Sequence, residues 1–353
     1  VTFSITVDQS AWFSHHAAVF QKYQQQQQLI AVIKSNGYGL TQANLAKVAA
    51  HHGLERVAVG TVYEVNDVAA NFTGEIVVLE PLNPADEQAL KIWKQVLSGK
   101  DRNRIIATLA TYPNINQTLK MFPDIKWVLE LQTQMNRFGV SAILRQEMIN
   151  FNGNRSAGLL GITSHFPFHP KGNDVSAVLS FAERNKIKDV AVSHISSSDL
   201  QKYSKAFPDL NLRMRIGSEL WLGNRKAIRA TGTVLAVHTP ESAQKVGYHQ
   251  TKTRKSYIVI SGGTAHGIGL AAPSPNRTPK QRLNAVGIGA LQAIGKSLSP
   301  FIVNGKKAWF VEPPHQHVSI VYGDFNKDIV GTQIEVDVRF TTTKADVVLG
   351  IDL

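Results

Sequence analysis

Cysteine is absent from the chain. That removes disulfides, thiolate catalysis and cysteine-ligated metal at once, so any metal site would have to be built from histidine or carboxylate. Long apolar runs are absent too. No stretch nears the roughly 20 consecutive apolar residues of a membrane-spanning helix, so no membrane partner is expected. The opening VTFSITVDQSAWF lacks a basic patch followed by an apolar run, so no secretory signal is expected and the cytoplasm is the default location. Acidic residues are few, with 26 Asp+Glu against 38 Lys+Arg and a formal net charge of +12. Such an excess can attract nucleic acid, but the basic residues are scattered and not interleaved with aromatics. The one dense patch, Lys252, Arg254 and Lys255, lies between two candidate strands and reads as a loop. No nucleic-acid partner is expected.

What is present is the composition of a globular chain, 43% hydrophobic and 18% charged over 353 residues. That is enough for two domains, or for one barrel with an appendage. Short apolar runs occur at 29–36, 56–60, 75–80, 104–110, 126–133, 158–166, 189–197 and 212–217. Most are continuous rather than alternating, as in strands buried on both faces. Helical patterns at 40–53, 85–99 and 174–187 lie between them. Strand and helix alternating in this way predict an α/β fold, a (β/α)8 barrel over residues 1–229, with an open doubly wound sheet as the alternative. From residue 230 to 353 the runs are β-like, bounded by Gly, Pro or Asn, and helical pattern is scarce, so a smaller mostly-β domain is expected there. Residues 1–10 contain TFSITVD, a strand that could pair with that domain. The glutamines 24–28 are expected to end a helix.

In such a barrel the reacting groups project from the C-terminal strand ends. Those ends carry Lys34 to Gly39, then Glu130, Gln132, Asn136 and Arg137, then His165, then His194 with Ser196, Ser197 and Ser198, and last Arg215, Gly217 and Ser218. Serine hydroxyls and the backbone N–H groups after a glycine can bind phosphate oxygens, and the last two strand ends are the usual phosphate position. Lys34 lies in an apolar run. An amine desolvated there would be a nucleophile able to form a Schiff base; the plainer alternative is a lysine at a strand end that reaches water.

AVIKSNGYGL (31–40) resembles the cofactor-lysine motif of alanine racemases, AVVKANAYGHG. TQMNRFGV (133–140) resembles that family's GMNRLGF, GLLGITSHF (158–166) its GLMTHF, SHISSSD (193–199) its HAANSAA, and RIGSELWLG (215–223) its RPGIALYG with one extra residue. The resemblance spans residues 29–223 with five motifs in order. It implies pyridoxal 5'-phosphate carried on Lys34 as a Schiff base, with Lys34 also serving as one acid/base. It implies Tyr38 on the cofactor phosphate, His165 against the pyridine ring, and Ser197, Ser198 and the amides of Gly217 and Ser218 completing the phosphate site. Arg215 would face the pyridine nitrogen, and Arg137 would sit near the cofactor hydroxyl and the substrate carboxylate. The family often has a carbamylated lysine where this chain has Glu130, and a Glu130–Arg137 ion pair is expected in its place. A homodimer is implied, because family sites are shared between subunits.

The C-terminal part departs from the family. Its GYADG motif supplies a tyrosine as the opposite-face base, whereas this chain has GGTAHG (262–267), with Thr264 at the tyrosine position. An unassisted threonine hydroxyl is a poor base at neutral pH. His266, His315, His317 and Tyr322 are the alternatives, with His266 favoured because it falls in the equivalent loop. The family's MDQ segment has no clear counterpart near Pro313 to His317, and its late tyrosine has none. His315-x-His317 could share a strand face and bind a metal, as in related barrel enzymes acting on D-amino acids. The expected function is a racemase interconverting L- and D-alanine. The alternatives are a metal-assisted lyase or aldolase acting on D-amino acids, and a non-catalytic cofactor-binding homologue.

Overall fold

The computed structural model describes residues 2–23, 28–141, 158–270, 278–323 and 327–353. Contacts divide the chain into two units. One comprises Phe13–Gly37, Thr41–Gly223 and Leu353; the other comprises Val1–Trp12, Tyr38–Leu40 and Asn224–Asp352.

Strand β1 (Phe3–Val7) precedes the barrel. All eight apolar runs become strands: β2 (Ile30–Val32), β3 (Arg56–Val59), β4 (Glu75–Pro81), β5 (Ile105–Leu109), β6 (Lys126–Glu130), β7 (Leu159–Thr163), β8 (Asp189–Val192) and β9 (Asn211–Ile216). Every neighbouring pair is parallel, and β9 closes on β2 through Ile30↔Arg215 and Ala31↔Ile216. Closure rules out the open sheet. Ile30, Val32, Ala58, Val77, Ile106 and Val128 pack as one cluster contributed by successive strands, so the barrel interior is filled by branched and small side chains. Helices follow the strands where the sequence supplies starts. Asp86 accepts the N–H groups of Gln88 and Ala89 to cap Glu87–Ser98, and Thr41 accepts Asn44 N–H to cap Gln42–His51. The helix Gln9–Tyr23 stops before the glutamine run, of which residues 24–27 lie outside the described residues.

In the second unit, β10 (Ile228–His238), β11 (Gln244–Val246), β12 (Thr251–Thr253), β13 (Tyr257–Ser261), β14 (Leu298–Val303), β15 (Lys306–Trp309), β16 (Val318–Tyr322), β17 (Gln333–Glu335) and β18 (Val347–Leu349) make it mostly β. Its main sheet runs β16-β13-β10-β1-β18, with β17 on β10. β1 pairs antiparallel with β10, from Phe3↔Gly232 to Val7↔Ile228, and parallel with β18. The region is mostly β as expected, and it also holds a 15-residue helix, Pro279–Ala293, that the sequence reading did not single out. Its start was readable as T-x-x-Q with proline between. Thr278 accepts Gln281 N–H while the Gln281 side chain accepts Thr278 N–H.

Candidate active site

The loop after β2 is the most contorted segment of the described chain. Ser35, Gly37, Tyr38, Gly39 and Thr41 all have positive φ, between 55° and 84°. Non-glycine residues enter this region at a cost of order 1–3 kcal/mol each, and such strain gathers at ligand clamps. At Gly37 a Cβ would lie 2.6 Å from Gln42 N, so only glycine fits. The loop is pinned by Glu64, whose Oε1 accepts Ser35 N–H (3.1 Å) and whose Oε2 accepts Gly60 N–H (2.7 Å). No pattern in the sequence singled out Glu64, because its partners are set by the adjacency of β2 and β3.

Lys34 follows the plainer of its two sequence readings, a lysine past a strand end that reaches water. β2 ends at Val32, and Lys34 lies two residues beyond it with its side chain exposed. The desolvation that the apolar run suggested is not found within this chain. The run was read as one strand, whereas only three of its residues are in the ladder.

Arg215, on β9, is the opposite case, a guanidinium only 8% exposed. Its Nη2 donates to Ser164 O (2.9 Å), and its Nε is buried with no hydrogen-bond partner among the described residues. Burial lowers its pKa to about 10, with Glu130 opposing that shift and Arg137 reinforcing it. Glu130 ends β6 and is buried; burial raises its pKa, against the pull of Arg215 and then Arg137. The expected Glu130–Arg137 ion pair is not formed. Arg137 is exposed and lies over the Phe138 ring at 5.1 Å. The reason is local: Val140 N–H donates to Glu130 O and Gln132 N–H to Val140 O, so residues 132–139 form a closed excursion that carries Arg137 outward. Arg137 edges a cavity of about 340 Å³ together with Glu80, Asn83, Asp86, Trp93 and Thr111. Neither Lys34 nor Arg215 lines that cavity.

His165 follows β7. Its Nδ1 is 2.8 Å from Ser193 Oγ, which also accepts Phe166 N–H (3.3 Å). Burial first, and then the positive charge of Arg215, lowers its pKa to about 3, so the ring is neutral at pH 7. His194 stands 5.0 Å away, ring centroid to ring centroid, and donates from Nδ1 to Phe166 O (2.7 Å). Ser193 is a second residue that sequence reading passed over, since it reaches His165 across adjacent strand ends rather than along the chain.

At the β8 end, Ser196 caps the helix Ser197–Ala206. Its Oγ accepts Asp199 N–H (3.1 Å), donates to Asp199 Oδ2 (2.7 Å) and lies 3.0 Å from Ser198 Oγ. Ser197 is the first residue of that helix. At the β9 end, Gly217 precedes the short helix Ser218–Leu222, and Trp221 Nε1 donates back to Val32 O (2.8 Å).

In the other unit, Tyr38 is buried with φ 56°. His266, the favoured opposite-face base, is 5% exposed and has both ring nitrogens engaged. Nδ1 accepts Gly263 N–H (3.1 Å) and Nε2 donates to Asp346 Oδ1 (3.2 Å), while Asp346 Oδ2 accepts Phe3 N–H (2.8 Å). His266 thus fastens β1 to the segment before β18, which leaves it no lone pair for a substrate. His315 and His317 have different partners: His315 Nε2 meets Glu312 Oε1 at 2.5 Å, and the His317 ring faces His266 at 5.9 Å. Among the described residues no three His, Asp or Glu side chains converge as a metal site.

A closed parallel barrel bearing a strained lysine loop, a buried arginine and a neutral histidine at its strand ends, followed by a β unit, is the build of a (β/α)8-barrel protein with a ligand site at its mouth. Residues 7–225 match the family model for the alanine racemase N-terminal domain, and the chain belongs to that family. Alanine racemase from Bartonella henselae with covalently bound pyridoxal phosphate superposes with a TM-score of 0.67 at 18% identity, over 98% of each chain. Alanine racemase from Bacillus anthracis with bound L-Ala-P gives 0.68 at 18% identity, over 99% of this chain and 87% of that one. Histidine racemase from Leuconostoc mesenteroides subsp. sake gives 0.63 at 16% identity, over 95% and 87%. No curated protein matches the chain.

Proposed function

We propose that this chain is a pyridoxal 5'-phosphate-dependent amino-acid racemase acting on alanine. The observation that carries the reading is Arg215, a buried guanidinium whose Nε–H has no acceptor among the described residues. A buried donor left unpaired costs about 1–3 kcal/mol, so the position suits a ligand acceptor such as a pyridine nitrogen. The residues that the family resemblance assigns supply the other donors the cofactor needs. Lys34 would hold the aldehyde carbon, neutral His165 would lie against the ring, and Tyr38, Ser197, Ser198 and the amides of Gly217 and Ser218 would take the phosphate.

When bound, the cofactor supplies an electron sink that lets the Cα–H bond of an amino acid ionise. Arg215 stays charged and cannot give its proton up to a ring nitrogen. That keeps electron withdrawal modest and favours return of a proton to Cα over other outcomes. Lys34 would hold or release that proton on one face. Arg137 would orient the substrate carboxylate through charge-assisted hydrogen bonds.

In deuterated water, both alanine enantiomers should gain Cα deuterium and interconvert. Absence of exchange with any amino acid, despite bound cofactor, would reject catalysis and leave the binding-protein reading, which Thr264 in place of tyrosine favours. Borohydride reduction followed by peptide mapping should label Lys34. We include a homodimer in the proposal, to be checked by light scattering.

A further inference from the structure

The helix Pro279–Ala293 lacks the packing that helices need. Every residue from 278 to 296 is exposed, and no side chain of the helix is buried. A free-standing helix of 15 residues is marginal in water, and most helices in folded proteins are stabilised by an apolar face packed on a neighbour. Gly287 and Gly289 weaken this one further. Its apolar side chains nonetheless form a stripe. Leu283, Val286 and Ala290 follow at helical spacing and Ile294 at the C-cap extends them, with Leu283, Val286 and Ile294 74%, 69% and 66% exposed. The side away from that stripe is not packed either. Ile288, Leu291 and Gln292 edge a cavity of about 370 Å³ that Leu270 and Leu298 also line. Leu298 is 51% exposed and pairs with Trp309 across β14 and β15, so the apolar surface continues onto that hairpin. Of the chain's five tryptophans, Trp309 alone is not buried.

The charge around this patch is of one sign. Residues 242–311 hold ten Lys or Arg and no Asp or Glu, so this stretch supplies most of the chain's net +12. Among them Lys280, Arg282, Lys296, Lys306 and Lys307 are exposed on the helix, the turn after it and the hairpin. Helical spacing sets Lys280 and Arg282 on either side of the Leu283 stripe. The one carboxylate lining the cavity is that of Asp337, 2.8 Å from Lys307 Nζ. A second copy of this chain does not suit such a face, because a two-fold contact would set these cations against one another. Nucleic acid would use the cations but leave the stripe in water. An anionic bilayer offers both negative charge and apolar depth. An amphipathic helix lies flat in it, with its stripe below the headgroups and its Lys and Arg among them.

We propose that the helix Pro279–Ala293 and the β14–β15 hairpin are a docking surface for an anionic membrane. The inference is independent of the racemase reading. Among the described residues no helix is long and apolar enough to cross a bilayer, so the contact is peripheral. Leu283, Val286 and Ile294 enter the boundary between headgroups and acyl chains, and Trp309 sits at the interface. Lys280, Arg282, Lys296 and Lys306 meet lipid phosphates.

The test is sedimentation of the full chain with vesicles of equal parts phosphatidylglycerol and phosphatidylcholine, and with vesicles of phosphatidylcholine alone. The anionic vesicles should bind at least about tenfold more tightly, and rising salt should release the protein. Trp309 emission should shift to the blue and be quenched by brominated acyl chains. Leu283→Ser combined with Ile294→Ser should weaken partitioning about tenfold, and Lys280→Gln, Lys296→Gln and Lys306→Gln together about 10²-fold. All five positions are exposed, so these changes leave the fold's interior untouched. Equal binding to both lipids, binding to neither, or no quenching by the brominated chains overturns the proposal. So does binding that the two serines leave unchanged, which would mean a purely electrostatic contact. An oligomer in lipid-free solution that the serine variant dissociates overturns it as well, by giving the stripe to a second copy.

Discussion

The barrel unit should lose stability steeply between pH 7 and pH 5, and the cause can be assigned to named rings. His16 is fully buried, with Nδ1 3.0 Å from His52 Nε2. One of these two nitrogens must donate and the other accept, so the pair requires at least one neutral ring. Burial, then His52 and His15, lowers the His16 pKa to about 3; burial, then His51, lowers that of His52 to about 4. His165 is lowered to about 3 as well. For a histidine whose folded pKa lies below its unfolded value of about 6.5, the unfolded state binds the extra proton. Stability is therefore intact above that unfolded value and declines as pH falls toward the folded pKa. From pH 7 to pH 5 each such group costs about 2 kcal/mol, so the three together cost about 4–6 kcal/mol, lowered by solvent screening at the partly open His52 and His165. Urea unfolding monitored by circular dichroism at pH 7, 6 and 5 measures the slope. His16→Leu should flatten it by about a third. A midpoint that does not move over this range, or a His16→Leu protein as acid-sensitive as wild type, would refute the reasoning.

Arg215→Met should abolish cofactor retention, read by visible absorbance after gel filtration. It should also push the Glu130 pKa up further, because the Arg215 charge opposes the effect of burial there, read by infrared titration of the carboxyl. Gly247→Ala should destabilise the second unit by about 2–3 kcal/mol, because the new methyl collides with the Glu312 carboxylate at a left-handed position; an unchanged thermal midpoint would contradict that placement. Thr278→Ala should cost about 1 kcal/mol or less in local stability of the helix Pro279–Ala293, seen as faster amide exchange in its first turn.

The barrel was legible because its strands are buried on both faces and so appear as unbroken apolar runs, which few other folds require. Closure was not readable from any one run; it depends on Ile30 meeting Arg215 across the whole length of the barrel. Site residues at strand ends could be named because strand ends fix where side chains emerge. Their contacts were harder. Lys34 admitted two readings because Leu29 to Ile33 are apolar, and the one that reaches water holds because the ladder stops at Val32 and the chain turns out. The Glu130–Arg137 pair failed because adjacency to one strand end says nothing of the loop that intervenes. Glu64, Ser193 and Glu312 went unseen because each acts on a partner that only the folded chain brings near. His266 looked available because its loop matched the family's, while its burial depends on Asp346, 80 residues further on.

The pairing of β1 with β10 bears on how the molecule is made. Phe3 aligns with Gly232, and its N–H is taken by Asp346, so β1 leaves the ribosome long before the strands it pairs with. At about 5–20 residues per second the wait for β10 alone is roughly 10–50 s. During that interval an apolar ribbon of Phe3, Ile5 and Val7 is left without its sheet, and a chaperone or the growing chain itself has to shield it.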